Sequence, residues 1–340
     1  MPPPTPPLYP LTFRPLLYEK VWGGRGLENL GKVLPKAATK YGESWELADM
    51  PATSASGAGG GAARSVINAG PLSGRTLNEA MKLWGEQLLG LAKPTPSGDF
   101  PLLVKFIDAA DNLSVQTHPT AEYAQRYPDA HVKTECWFIL DCEPGAMIYK
   151  GVKSGVSREQ FAAHIADETV ANDLIETAAV PGTCHTLPSG TVHALGAGVL
   201  VAEVMTPSDT TFRVFDWGRS GRQLHIAESM ACIDFGPAPR GSRITDGEAV
   251  KRVCETDFFT IDCHQPLAGQ ILTVGDGRAC VVLIGLAGQG RLELELGSIA
   301  APFDTLDIQV GSTVLVPAAI ARDCRVSAGD GLRMLRVTLK

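Results

Sequence analysis

Apolar residues recur at 77, 80, 81, 84, 88 and 91, the spacing of one helical face. This predicts an amphipathic helix over 77–91, ended by Pro94-Thr95-Pro96-Ser97-Gly98. A second helical segment is predicted over 157–178. Ser157 followed by Glu159 and Gln160 gives its N-terminal signal, and Phe161, Ile165, Val170 and Leu174 its apolar face. Most other apolar runs are short and bounded by turns. Residues 101–107 form a buried strand with one charge inside it, Lys105, and 136–140 form another, stopped by Glu143-Pro144-Gly145. Short strands follow Pro181-Gly182 as far as Asp216, and 252–340 is almost all strand-like with regularly spaced glycine turns. That spacing predicts an antiparallel sandwich or jelly roll.

The pattern divides the chain into three regions. Residues 1–100 hold an N-terminal arm, strands and a helix that pack on a first barrel. Residues 101–240 form that barrel, with the helical segment of 157–178 inserted, and 241–340 form a second. The proline-rich first ten residues are expected to be extended or poorly ordered. The Gly/Ala/Ser stretch 54–63 reads as a flexible loop, because no Lys-Ser/Thr follows it to make a phosphate cradle.

An internal repeat supports two similar halves. Gly182, Pro188, Gly190 and His193 recur as Gly311, Pro317, Ala319 and Arg322 at the same spacing. The first copy resembles the second motif of the cupin β-barrels, where a proline–glycine turn points a histidine into the barrel mouth. The fold class expected is mainly β: two jelly-roll (cupin, double-stranded β-helix) barrels with a small helical segment, the second barrel stripped of its ligand.

Composition narrows the function. The 340 residues carry 30 Lys and Arg against 37 Asp and Glu, a net charge of −7, so a nucleic-acid groove is not expected. The eight cysteines include no CxxC pair, which excludes a thiolate zinc knuckle and suggests small buried hydrophobes in a reducing compartment. No run of apolar residues is long enough to span a bilayer, and the start lacks the features of a signal peptide. A cytoplasmic protein without membrane partners is expected.

Four residues have the chemistry of a metal site. Gln116 and His118, two apart on a strand, point to one face. Glu135 opens the next strand and His193 ends the Pro188–Gly190 turn. Two imidazoles, a carboxylate and an amide oxygen suit Zn²⁺ with room for water or substrate, and the lack of thiolate or a third histidine argues against a redox metal. His131, His164, His185, His225 and His264 read as structural. Glu203 and Arg213 interrupt apolar strands, where unpaired charge is costly, and lie just downstream of His193.

Six blocks carry a more specific resemblance: 18–25, 42–46, 113–119, 133–137, 188–195 and 210–216. In order and content they resemble the class I mannose-6-phosphate isomerases in their short bacterial form. The resemblance implies a zinc-dependent aldose–ketose isomerase acting on a small sugar phosphate, with one Zn²⁺ on Gln116, His118, Glu135 and His193. It also implies Arg213, Lys133 and Glu203 as catalytic residues, the base being Lys133 or Glu203, and Ser114 and Lys105 near the phosphate. Two alternatives stand beside it: another metal-dependent cupin enzyme, such as an oxygenase or epimerase, and an inactive sugar-phosphate-binding protein.

Overall fold

In the computed structural model, which describes residues 5–54, 59–245, 247–295 and 305–340, most of the strands are laid out in four larger sheets. A seven-stranded sheet runs edge to edge through Ser242–Arg243, Thr183–Leu187, Glu135–Cys142, Val199–Met205, Leu103–Ala109, Tyr41–Leu47 and Leu16–Gly24. A five-stranded sheet faces it, ordered Leu174–Ala178, Met147–Val152, His193–Leu195, Val115–Thr117 and Phe212–Phe215. The C-terminal region forms a second facing pair of five and four strands. The fold is mainly β, as expected.

Alternation along the strands gives the seven-stranded sheet two working faces. Ile107, Trp137, Ile139 and Val201 point to the front and share a core with Ile148 and Leu195 of the facing sheet. Val104, Phe106, Phe138, Ala202 and Val204 point to the back. There they pack against Ile261, Val282, Ile284, Leu335 and Val337 of the C-terminal five-stranded sheet. Each such side chain, fully buried, stabilises the fold by about 1.5–3 kcal/mol relative to exposure. The N-terminal region does more than pack on the first sheet pair, because Leu16–Gly24 and Tyr41–Leu47 are two of its strands.

The helices differ from the expectation in extent. Thr76 and Glu79 form a reciprocal cap, each side chain accepting the other's N–H, and the first helix runs Leu77–Trp84. It stops at Gly85, whose φ of +49° leaves the helical region, and a separate turn, Glu86–Leu89, follows. Leu91 is 73% exposed and joins no apolar face. The segment over 157–178 is helical only at Arg158–Ala166, capped by Ser157 and Gln160. Glu168, at φ +58°, ends it, a 3₁₀ turn covers Val170–Asp173, and Leu174–Ala178 is a strand paired with Met147–Val152. All four predicted apolar residues do enter one core with Val192 and Ala194, from three different elements.

Residues 5–11 are docked rather than loose. The Pro6 carbonyl accepts the Trp84 indole, and Leu11 exchanges two backbone hydrogen bonds with Leu315. Residues 1–4 of the predicted arm, and 55–58 of the predicted glycine-rich loop, lie outside the described residues. The two copies of the repeat hold equivalent places: Thr183–Leu187 pairs with Glu135–Cys142, and Thr313–Val316 with Val281–Ala287. In the second copy Arg322 turns outward to the Asp276 carbonyl.

Candidate metal centre and its cleft

The four candidate ligands come from two facing sheets and meet between them. Gln116 and His193 are register partners in the five-stranded sheet, and His118 follows the Val115–Thr117 strand. Glu135 is the first residue of its strand in the seven-stranded sheet. The Glu135 Oε1 lies 3.1 Å from His193 Nε2, and its Oε2 lies 3.4 Å from His118 Nε2. The Gln116 amide is 3.5 Å from His193 Nε2. One ligand atom from each of His118, Glu135 and His193 falls within 4.8 Å of the others, all three buried.

Hydrogen bonding sets the histidine tautomers. His118 Nδ1 lies 3.0 Å from the Thr210 carbonyl and His193 Nδ1 2.8 Å from the Thr191 carbonyl. A carbonyl only accepts, so each Nδ1 donates and each Nε2 turns a lone pair inward. His118 Nε2 and Glu135 Oε1 have no hydrogen-bond donor among the described residues, and Glu135 Oε2 has only the Lys133 ammonium beside it. Buried acceptors aimed at one another are costly unless a cation lies between them, and this set fits a divalent metal. Burial, and then the Lys133 charge, push the His118 imidazole down to about 3, keeping it neutral. Burial alone would raise the Glu135 carboxyl, but the Lys133 ammonium beside it holds it well below its usual range.

The turn that delivers His193 depends on Gly190. Its φ is +85°, and a Cβ there would stand 2.7 Å from the Cys232 carbonyl. The Thr191 N–H donates to the Pro188 carbonyl at 3.0 Å, closing the turn.

A cavity of about 640 Å³ opens beside the ligands and is lined by Gln116, Lys133, Glu203, Arg213 and Ser114, among others. Lys133 Nζ is 2.9 Å from Glu135 Oε2. Arg213 is the register partner of Gln116; its guanidinium donates to the Gln223 carbonyl at 2.6 Å, and its Nε has no partner among the described residues. The Ser114 hydroxyl donates to Gln116 Oε1 at 3.3 Å. Glu203 Oε1 accepts the Trp137 indole N–H at 2.9 Å, while Oε2 is buried without a hydrogen bond. Burial, and then the Glu135 charge, raise the Glu203 carboxyl. Lys105 also lines the cavity, between Glu203 at 3.4 Å and Glu43 at 3.5 Å and over the Trp45 ring.

Among the further lining residues are Glu43, which the sequence reading did not single out, and His225, which it took as structural. Glu43 reaches the cavity from the Tyr41–Leu47 strand. It sits in one of the resembling blocks, which was its only signal. His225 exchanges backbone contacts with Arg213, its N–H donating to the Arg213 carbonyl and its Nδ1 accepting the Arg213 N–H. Nothing in its local sequence marks it.

Comparison with known proteins decides the family. The phosphomannose isomerase type I catalytic domain matches residues 11–149. A mannose-6-phosphate isomerase of Bacillus subtilis is 36% identical over 236 residues, covering 68% of this chain and 70% of the relative. The chain belongs to the type I phosphomannose isomerase family. Another relative in that family, a mannose-6-phosphate isomerase of Streptococcus mutans, is 32% identical over 302 residues, 86% of this chain and 89% of the relative. The solved mannose 6-phosphate isomerase of Bacillus subtilis matches with a TM-score of 0.79 at 26% identity, covering 97% of this chain and 99% of that one. A phosphomannose isomerase variant from Salmonella typhimurium shares the fold, with a TM-score of 0.75 at 18% identity over 98% of this chain and all of that one. Among the described residues no helix is long and apolar enough to cross a membrane.

Proposed function

We propose that the protein is a zinc-dependent isomerase interconverting mannose 6-phosphate and fructose 6-phosphate by proton transfer through an enediolate. The observation that carries this reading is the convergence of two carbonyl-locked imidazoles and a buried carboxylate, its Oε1 without a donor, at the end of a cavity lined by Glu203, Lys133 and Arg213. His118, Glu135, His193 and Gln116 would hold one Zn²⁺. When bound, zinc supplies Lewis acidity to a sugar oxygen beside the reacting carbons, about several kcal/mol of charge stabilisation.

The remaining steps belong to side chains. The proton on C2 of the open-chain aldose must leave and be returned to C1, and Glu203 is the group we read as moving it. Its Oε1 is fixed by Trp137 while Oε2 is left without a donor, and a raised carboxyl is a better base near neutral pH. Lys133, ion-paired with Glu135, orients that ligand and contributes positive charge. Arg213 supplies a fixed charge toward the enediolate oxygens. Ser114 meets the phosphate, which orients the sugar.

A coupled assay for fructose 6-phosphate, on chelated and zinc-restored protein, tests the proposal. Activity lost on chelation and regained with zinc is expected. Full activity in metal-free protein would remove the Lewis-acid role, and no turnover by zinc-loaded protein would overturn the function.

A further inference from the structure

Glu43 has no part in the chemistry proposed above, yet it is one of the most firmly held side chains at the cavity. The Trp45 indole N–H donates to its Oε2 at 2.6 Å, and Lys20 Nζ lies 3.1 Å from its Oε1. Burial alone would raise its carboxyl, but Lys20 and Lys105 bring it down to about 2, so it is a fixed anion at neutral pH.

The strand register shows what this anion holds. Trp45, Lys105, Glu203 and Trp137 stand opposite one another on four adjacent strands, forming one row across the sheet. Glu43 is two residues before Trp45, on the same face of its strand. The Lys105 ammonium lies over the Trp45 ring, 4.5 Å from its centroid, with Glu43 at 3.5 Å and Glu203 at 3.4 Å. Neither carboxylate has it as a close hydrogen-bond partner. Two anions therefore compete for one cation, and the competition keeps Lys105 from closing onto Glu203 Oε2. Asp209 and Glu135 also face Lys105, while Glu135, Lys105 and Lys133 face Glu203.

We infer that Glu43 is a positioning residue for the proton transfer: by holding the Lys105 ammonium back, it leaves Glu203 Oε2 available to the substrate. This rests on the reading of the site as an isomerase in which Glu203 moves the proton. Without Glu43, Lys105 has one near carboxylate in place of two, and a tight Lys105–Glu203 pair would occupy the oxygen that has to accept the proton.

The test uses the zinc-loaded full-length enzyme with mannose 6-phosphate carrying hydrogen or deuterium at C2. Glu43→Gln keeps the side chain's shape and an acceptor for the Trp45 indole. It should lower kcat about 10–100-fold with KM within about threefold, raise the deuterium isotope effect on kcat, and keep one zinc per chain. A residue that merely supports the fold would leave the isotope effect where it was. If Glu43 acts through Lys105, adding Glu43→Gln to Lys105→Met should cost less than about twofold more. If Glu43→Gln does not fold, Glu43→Asp, which keeps the charge but draws it away from Lys105, should show the raised isotope effect and carries the test. The inference is overturned by a Glu43→Gln kcat within about twofold of wild type, by a raised KM at unchanged kcat, by an unchanged isotope effect, or by additive losses in the double variant. Wild-type protein that fails to turn over mannose 6-phosphate would overturn the isomerase reading instead.

Discussion

Glu135 Oε1 and His193 Nε2 face each other at 3.1 Å from opposite sheets, an acceptor against an acceptor once His193 Nδ1 is committed to the Thr191 carbonyl. Metal-free protein should hold this contact at a cost, and zinc should relieve it. Thermal unfolding of chelated protein should shift upward on adding Zn²⁺, by about 2.7 kcal/mol at a hundredfold excess over Kd. His193→Ala should abolish the shift and leave well under one zinc per chain by metal analysis.

Arg213 shares its backbone register with Gln116, but its guanidinium bonds to the Gln223 carbonyl and to none of the four ligands. Arg213→Ala should therefore lower kcat by about 10²–10³ with zinc content unchanged. Steady-state kinetics and metal analysis on the same preparation check it, and lost zinc would make Arg213 a support of the metal centre.

Gly190→Ala should disturb the metal centre without touching a ligand. The added methyl meets the Cys232 carbonyl at 2.7 Å in a backbone conformation that disfavours alanine. The turn must shift, and His193 with it. Weaker zinc binding in calorimetric titration, with a lower Tm, is the expected result; unchanged affinity would show that the turn adapts elsewhere.

His185 and His264 make stability acid-sensitive. Both are buried, with His185 Nδ1 and Nε2 and His264 Nε2 unpartnered among the described residues. Burial first, with Lys150 beside His185 and Arg336 beside His264, pushes each from 6.5 down to about 4. Between those values the unfolded chain binds the protons and the folded chain does not. Unfolding free energy should fall as the pH drops through that window, by at most about 3 kcal/mol per histidine, and these two groups should have no effect above it. Urea titrations of chelated protein from pH 7 to 4 measure the slope, which His185→Gln should flatten.

The candidate metal ligands were legible as a set because their signals are local. Gln116 and His118 share a strand face by their spacing, and the Pro188–Gly190 turn fixes where His193 points. Glu43 and His225 were not, because register and a returning loop bring them to the cavity, and neither is encoded within a few residues. Lys105 was visible as a charge inside a buried strand, but its carboxylate partners sit on two neighbouring strands, which its own segment does not reveal. The segment over 157–178 shows the limit of periodicity: Val170 and Leu174 continue a helical spacing, yet Glu168 breaks the helix and Leu174–Ala178, with β-branched Ile175 and Thr177, pairs with Met147–Val152. The mainly β class needed none of this detail, since short apolar runs between glycine turns already imply it.

Among the described residues the C-terminal region contributes no side chain to the candidate metal centre, but the sheet that carries Glu135, Glu203 and Lys105 is backed by it through Phe106, Phe138 and Val204. A chain cut near residue 245 would turn that reverse side to water, with Glu135, Glu203 and Lys105 still anchored in the exposed sheet. The C-terminal sheet pair is thus a foundation for the proposed chemistry, and the two sheet pairs should melt together as one unit.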